Sequence, residues 1–218
     1  MQEHPATVGT VFDQYELIAA EYAQHFTDEF DVRPFDRCLV QSFAELVLRS
    51  GGHAALDVGC GPGQAAAELT RLGLRAEGID GSPAMISIAR ERYPQIRFQV
   101  ADMRELPYRD GTFSAVSAWY SIIHTPADEL ADLFAEFRRV LTDPGWLLLG
   151  FQTGSPPLCF DEAFGHAVSM TFLRHDTATV RDALAAAGFT GYAIATRERQ
   201  PQLKETADQA FIIAAVAA

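Results

Sequence analysis

A chain of 218 residues, 48% of them hydrophobic, holds one domain with a sizeable core and at most one elaboration. Its formal net charge of −12 repels polyanions, which argues against DNA, RNA or an anionic membrane surface as a partner. Cys38, Cys60 and Cys159 show neither metal nor disulfide spacing, no basic-then-apolar leader opens the chain, and no apolar run approaches a membrane span, so a cytoplasmic protein without a metal is expected.

Residues 1–8 read as a loose terminus. From Val11 to Phe26 the apolar residues Val11, Tyr15, Leu17, Ile18, Tyr22 and Phe26 recur at helical spacing. A second helix is predicted from Pro34, a first-turn proline, to Leu48, with Gly51-Gly52 as its stop. Strand and helix then alternate. Strands are predicted near 54–58, 75–80, 96–100, 113–119 and 145–151, and helices near 62–72, 82–92, 127–141 and 177–187. Such alternation means a parallel sheet with helices on both faces. The tail breaks the rule, because Tyr192–Thr196 and Ala210–Val216 are strands with no helix between them and should pair antiparallel. Residues 152–176 also break it. That aromatic segment reads either as part of a substrate lid or as an ordinary β-excursion packed on the core.

The most informative stretch is Leu56-Asp57-Val58-Gly59-Cys60-Gly61-Pro62-Gly63. A strand runs into a glycine turn and then a helix, which brings a nucleotide-like ligand against exposed backbone N–H groups. The dinucleotide fingerprint fails, because Gln64 stands at the sixth position counted from Gly59 and Ala66 at that position counted from Gly61. The phosphate-loop pattern is absent too. Asp57 would repel phosphate but suits a ligand carrying an ammonium or sulfonium. The second strand ends in Asp80, placed to accept both hydroxyls of a ribose.

With this loop go Gly78-Ile79-Asp80-Gly81-Ser82-Pro83-Ala84-Met85, Ala101-Asp102-Met103, Phe113 to Tyr120, and Phe137-Arg138-Arg139-Val140-Leu141 leading to Pro144-Gly145-Trp146. In that order, over residues 53–151, the chain resembles the class I (Rossmann-like) S-adenosylmethionine-dependent methyltransferases of small-molecule type. The resemblance implies an α/β fold: a doubly wound, mostly parallel seven-stranded sheet, last strand antiparallel, with helices on both faces and an N-terminal helical cap. It divides the single domain 1–218 into a cap (1–50), a cofactor-binding core (53–151), a lid (152–176) and a C-terminal helix with antiparallel strands (177–218). It also implies S-adenosylmethionine as cofactor and a small-molecule methyl acceptor, methylated on O, N or C, with the protein a monomer or homodimer.

On the same footing, Gly59, Cys60 and Gly61 would lie along the methionine part of the cofactor. Asp57 and the Ala118 carbonyl would hold its ammonium, and Asp80 its ribose. Gly81 and Met85 would lie against the adenine, although Met85 reads equally well as core. Asp102 would accept from the adenine amino group while Met103 packs on the ring. Tyr22, with Tyr15 on the same helix face, would close over the cofactor. The segment Trp119-Tyr120-Ser121-Ile122-Ile123-His124 should border the methyl group, with Tyr120 as a candidate catalytic residue. His124 reads either as a general base or as a lining residue. His166 and His175 reach the acceptor only if the lid reading holds. Two other functions fit the loop: a nicotinamide-dependent oxidoreductase, disfavoured by the missing glycine and by Asp57, and a non-catalytic S-adenosylmethionine-binding module.

Overall fold

The computed structural model describes residues 10–27 and 29–217, so the loose terminus expected at 1–8 lies outside the described residues. Helix α1 (Val11–His25) starts at a reciprocal cap, Thr10 accepting from the Asp13 backbone N–H while Asp13 accepts from that of Thr10. A four-residue helix α2 (Glu29–Val32), too short to leave a periodic pattern, precedes α3 (Pro34–Arg49). Then follow β1 (Ala54–Val58), α4 (Gln64–Arg71), β2 (Arg75–Asp80), α5 (Pro83–Arg92), β3 (Arg97–Val100) and β4 (Phe113–Trp119). Ser82 caps α5 through the Met85 N–H, with Pro83 just inside the helix, as the sequence predicts.

The second half runs α6 (Leu130–Val140), β5 (Leu141–Thr153), β6 (Leu158–Ala163), β7 (His166–Phe172), α7 (Thr177–Ala186), β8 (Phe189–Arg197) and β9 (Asp208–Val216). The helix expected from 127 begins instead as a 3₁₀ turn, Ala127–Glu129, after Pro126. Strand β5 is longer than the 145–151 expected, since it pairs with β4 from Leu141 and with β9 out to Thr153. Residues 152–176 hold the end of β5, the β6–β7 hairpin and a short lead into α7.

The main sheet has seven strands in the order β3-β2-β1-β4-β5-β9-β8, parallel from β3 to β5, with β9 antiparallel to both of its neighbours. Helices α3, α4 and α5 bury Phe43, Val47, Leu69 and Ile86 on one face. Helices α6 and α7 bury Phe134, Phe137, Val180 and Leu184 on the other. Strand order reverses between β1 and β4, and a crevice opens at such a switch point beyond the carboxyl ends of the strands. Helix α1 and the β6–β7 hairpin close over that crevice, packing Ile18 against Val168 and Met170. The Gln14 side chain fastens them by accepting from the Ser169 N–H at 2.8 Å. Among the described residues no helix is long and apolar enough to cross a membrane.

Candidate functional site

The crevice encloses about 740 Å³, walled by the strand tips below and by α1 and the hairpin above. Its floor is the turn after β1. Gly59 has φ +65°, and a Cβ there would collide with Ser121. Gly61 has φ +51° but meets nothing, so its α-carbon opens onto free space. The same residue type therefore serves packing at one position and ligand access at the other. Cys60 has its thiol buried behind the turn, and burial pushes it well above its usual range, so it is packed and unreactive rather than nucleophilic.

Two carboxylates flank this turn. Asp80 accepts from the Gly61 N–H at 2.9 Å and from the Ser82 N–H at 2.8 Å. These contacts lock the turn to β2 and leave the remaining lone pairs of both oxygens for a ligand. Asp57 is fully buried, and among the described residues no donor meets either of its oxygens in hydrogen-bonding geometry. Burial pushes it up to about 7, softened by the nearby Ser117 hydroxyl and Ala66 N–H and reinforced by the charges of Asp80 and Glu29. A buried carboxylate that lines a cavity without a donor of its own suits a cationic or hydrogen-bond-donating ligand. Together with the open Gly61 it fits the ammonium, sulfonium and ribose of S-adenosylmethionine.

Of the other expected site residues, Tyr22, Gly81, Met85, Asp102, Met103, Tyr120 and His124 all line the cavity. Ala118 does not. It is fully buried within β4, paired beside Leu149, and Trp119 and Tyr120 form the wall in its place. Gly81 gives its space to the Phe12 ring, which a Cβ would strike, so Phe12 bounds the slot beside it. Asp102 forms a two-point ion pair with Arg104 at 2.7 and 3.1 Å, which holds it below the usual carboxylate range. Tyr120 stands at φ +57°, a strained conformation for a side chain of that size, and its N–H donates to the Gly150 carbonyl at 2.8 Å.

His124 lies 2.9 Å from the Tyr15 hydroxyl through Nε2 and 3.1 Å from the Thr171 carbonyl through Nδ1. Burial pulls it down to about 4, so it stands neutral at ordinary pH. His166 and His175 are not brought to the cavity wall. His166 sits at the surface 3.6 Å from Glu21, and His175 is buried against the Ile122 carbonyl at 3.2 Å.

Sequence reasoning missed several groups. Glu29 lines the cavity, accepts from the Trp119 indole N–H at 3.2 Å, and is pushed up to about 7 by burial against the opposing pull of Arg33. Arg33 also lines the cavity and pairs with Glu205 at 3.1 Å. Glu16 accepts from the Ser82 hydroxyl and the Ala84 N–H, joining α1 to the start of α5. Glu29 and Arg33 stand one helical turn apart just ahead of Pro34, a weak local signal. Nothing near Glu205 in the sequence marks it.

Comparison with known proteins agrees with this geometry. A family model described as a methyltransferase domain matches residues 55–145. The methyltransferase GfsG of Streptomyces halstedii is 32% identical over 159 residues, covering 65% of this chain and 56% of that protein, so this chain spans a little over half of that relative's length. Among solved structures, the [4+2]-cyclase SpnF superposes with a TM-score of 0.74 at 20% identity, covering 98% of each chain. The magnesium protoporphyrin IX methyltransferase ChlM of Synechocystis, with bound S-adenosylhomocysteine, gives 0.70 at 18% identity, covering 95% of this chain and 98% of that one. The switch-point crevice, the glycine turn with its two carboxylates and the matched domain lead to one conclusion: residues 55–145 are similar to methyltransferase domains, and the chain has the seven-stranded fold of S-adenosylmethionine-dependent methyltransferases.

Proposed function

We propose that the protein transfers the methyl group of S-adenosylmethionine to an O, N or C atom of a small-molecule acceptor. The observation that carries this reading is the buried, unpartnered Asp57 carboxylate beside the open Gly61 turn. When bound, S-adenosylmethionine supplies a methyl group already activated on a cationic sulfur. The chain then has to hold, align and exclude water. Asp57 takes the ammonium, directly or through water. The free lone pairs of Asp80 take the ribose hydroxyls. Gly81, Met85, Met103 and Asp102 bound the adenine slot, with Phe12 at its edge, and Tyr22 covers the cofactor from α1. Tyr120 and His124 border the acceptor half, and the β6–β7 hairpin serves as its lid.

The net charge of −12 supports a small molecule over a polyanion as acceptor. The free thiols of Cys38, Cys60 and Cys159 support a cytoplasmic setting. The likeness to a cyclase shows that this fold hosts other chemistry, so turnover is the decisive arm of the test. Binding of S-adenosylmethionine, S-adenosylhomocysteine and NAD(H) is compared by calorimetry, and release of S-adenosylhomocysteine is followed with an acceptor panel. Asp80→Ala should weaken S-adenosylmethionine by about 1.5–3 kcal/mol, the worth of hydrogen bonds to a charged acceptor. Unchanged affinity removes Asp80 from the site. Binding of NAD(H) alone would favour an oxidoreductase, and binding without turnover a non-catalytic module.

A further inference from the structure

The acceptor half of the cavity is walled differently from the strand tips. There α1 faces the β6–β7 hairpin across Tyr15, Ile18, Tyr22, Phe160, Met170 and Phe172. Phe160 meets Phe172 edge to face at 4.8 Å, and Phe172 meets His124 likewise at 5.4 Å. A slot of this composition suits a flat, carbon-rich ring system.

One hydrogen-bonded pair interrupts the apolar wall. His124 Nδ1 faces the Thr171 carbonyl oxygen, which can only accept, so Nδ1 carries the proton and Nε2 is bare. The Tyr15 hydroxyl 2.9 Å away therefore donates to Nε2. Its oxygen has no other protein partner among the described residues and can accept one more hydrogen bond from the cavity. The carbonyl that fixes the tautomer belongs to the hairpin, so seating the hairpin orients the imidazole.

On the strength of the methyl-transfer reading, we infer that the acceptor is a flat, ring-containing hydroxyl compound seated between α1 and the hairpin, its O–H donating to the Tyr15 oxygen. An acceptor oxygen lone pair forms the new C–O bond as the C–S bond breaks and leaves its electron pair on sulfur. The acceptor proton passes to the Tyr15 oxygen while the Tyr15 proton passes to His124 Nε2, giving a neutral ether and an imidazolium that later yields its proton to solvent. Tyr15 is the catalytic residue and His124 positions it and takes the proton.

The groups that face this pair keep it in that state. Burial, with Tyr22 and Asp80 nearby, raises the Tyr15 hydroxyl well above its usual range, so it relays rather than ionises. His124 has the Tyr15 and Phe172 rings and the Thr171 carbonyl around it and, among the described residues, no carboxylate partner, and burial pulls it down to about 4. So weak a base suffices, because an oxygen that has gained a methyl while keeping its proton is a far stronger acid than an imidazolium.

2-Naphthol, 2-naphthylamine and 2-naphthoate present the same rings with different polar groups. Calorimetry on protein loaded with S-adenosylhomocysteine should show 2-naphthol binding about tenfold tighter than the other two, and Tyr15→Phe should erase that preference. The variant's affinity for S-adenosylhomocysteine should stay within about threefold of the parent's. With S-adenosylmethionine, 2-naphthol should yield its methyl ether, and Tyr15→Phe should lower kcat by about 100-fold or more. The parent's kcat should be flat from about pH 5 upward, whereas that of Tyr15→Phe and His124→Ala should climb with pH as free naphtholate replaces the relay. Equal binding of the three probes, no binding of 2-naphthol, or a preference and pH profile untouched by Tyr15→Phe would overturn this assignment and leave methyl transfer standing. Failure of S-adenosylhomocysteine to bind would overturn both.

Discussion

At Gly59 and Gly61 one residue type answers two demands, and substitution separates them. Gly59→Ala puts a methyl group into Ser121 at a positive φ, so about 2–5 kcal/mol of stability should be lost, visible as a lowered denaturant midpoint. Gly61→Ala meets no atom, so only the roughly 1–2 kcal/mol of left-handed strain applies to the fold. Its methyl group projects into the cavity, and S-adenosylmethionine affinity should fall by more than stability does. Equal losses at the two positions in paired melts and titrations would contradict the assignment of the open turn to the ligand.

The same scale carries a pH dependence. Burial holds both Asp57 and Glu29 up at about 7, so the ligand-free folded protein binds more protons than the unfolded chain between their ordinary values and about 7. Its stability should therefore fall as pH rises through that window. A cationic ligand favours the ionised carboxylates. S-adenosylmethionine binding should strengthen from about pH 5.5 to about 7.5, by roughly three- to tenfold more than that of S-adenosylhomocysteine, which lacks the sulfonium charge. Parallel pH profiles for the two ligands would show that these carboxylates do not sense the sulfur.

Among the elements, the cap is tied to the sheet by buried charge. Arg197 of β8 holds Asp36 of α3 at 2.8 Å and Glu205 at 2.7 Å, all three side chains nearly buried, and Glu205 in turn holds Arg33. Removing the central guanidinium leaves two buried carboxylates facing each other. Arg197→Ala should therefore cost about 3–5 kcal/mol in chemical denaturation, far more than a surface ion pair. A loss under about 1 kcal/mol would mean that water replaces the guanidinium freely.

The elements were unevenly legible in the sequence. Strands β1, β2 and β4 stood out because each leads into a turn at a motif residue, and their C-terminal ends hold Asp57, Asp80 and Trp119. The β6–β7 hairpin did not stand out. Its pairing slips between Phe160 and Glu162, and the slip blurs the alternation that marks a strand. Asp102 lines the cavity, but its ion pair with Arg104 depends on side-chain reach that sequence spacing does not reveal. Glu29, Arg33 and Glu205 meet only because α2, the start of α3 and the loop before β9 converge above the strand tips, a purely tertiary event. Ala118 was expected one residue too deep, because β4 stays paired through Trp119.

On the scale of the whole molecule, the acidic surface and the acidic crevice act together. A net charge of −12 repels polyanions at long range, while Asp57, Asp80 and Glu29 concentrate negative potential where the strands end. The roof, built from α1 and the hairpin, presents apolar and aromatic side chains to the crevice. The fold thus places a cation-seeking floor beneath an oil-like ceiling. The most direct measurement is a crystal structure of the complex with S-adenosylhomocysteine. The ribose hydroxyls should lie within hydrogen-bonding distance of Asp80, the ammonium should neutralise Asp57, and the sulfur should face the slot between Tyr15 and Phe172. A ligand lodged away from the turn after β1, or one whose ammonium leaves Asp57 still unpartnered, would contradict the account.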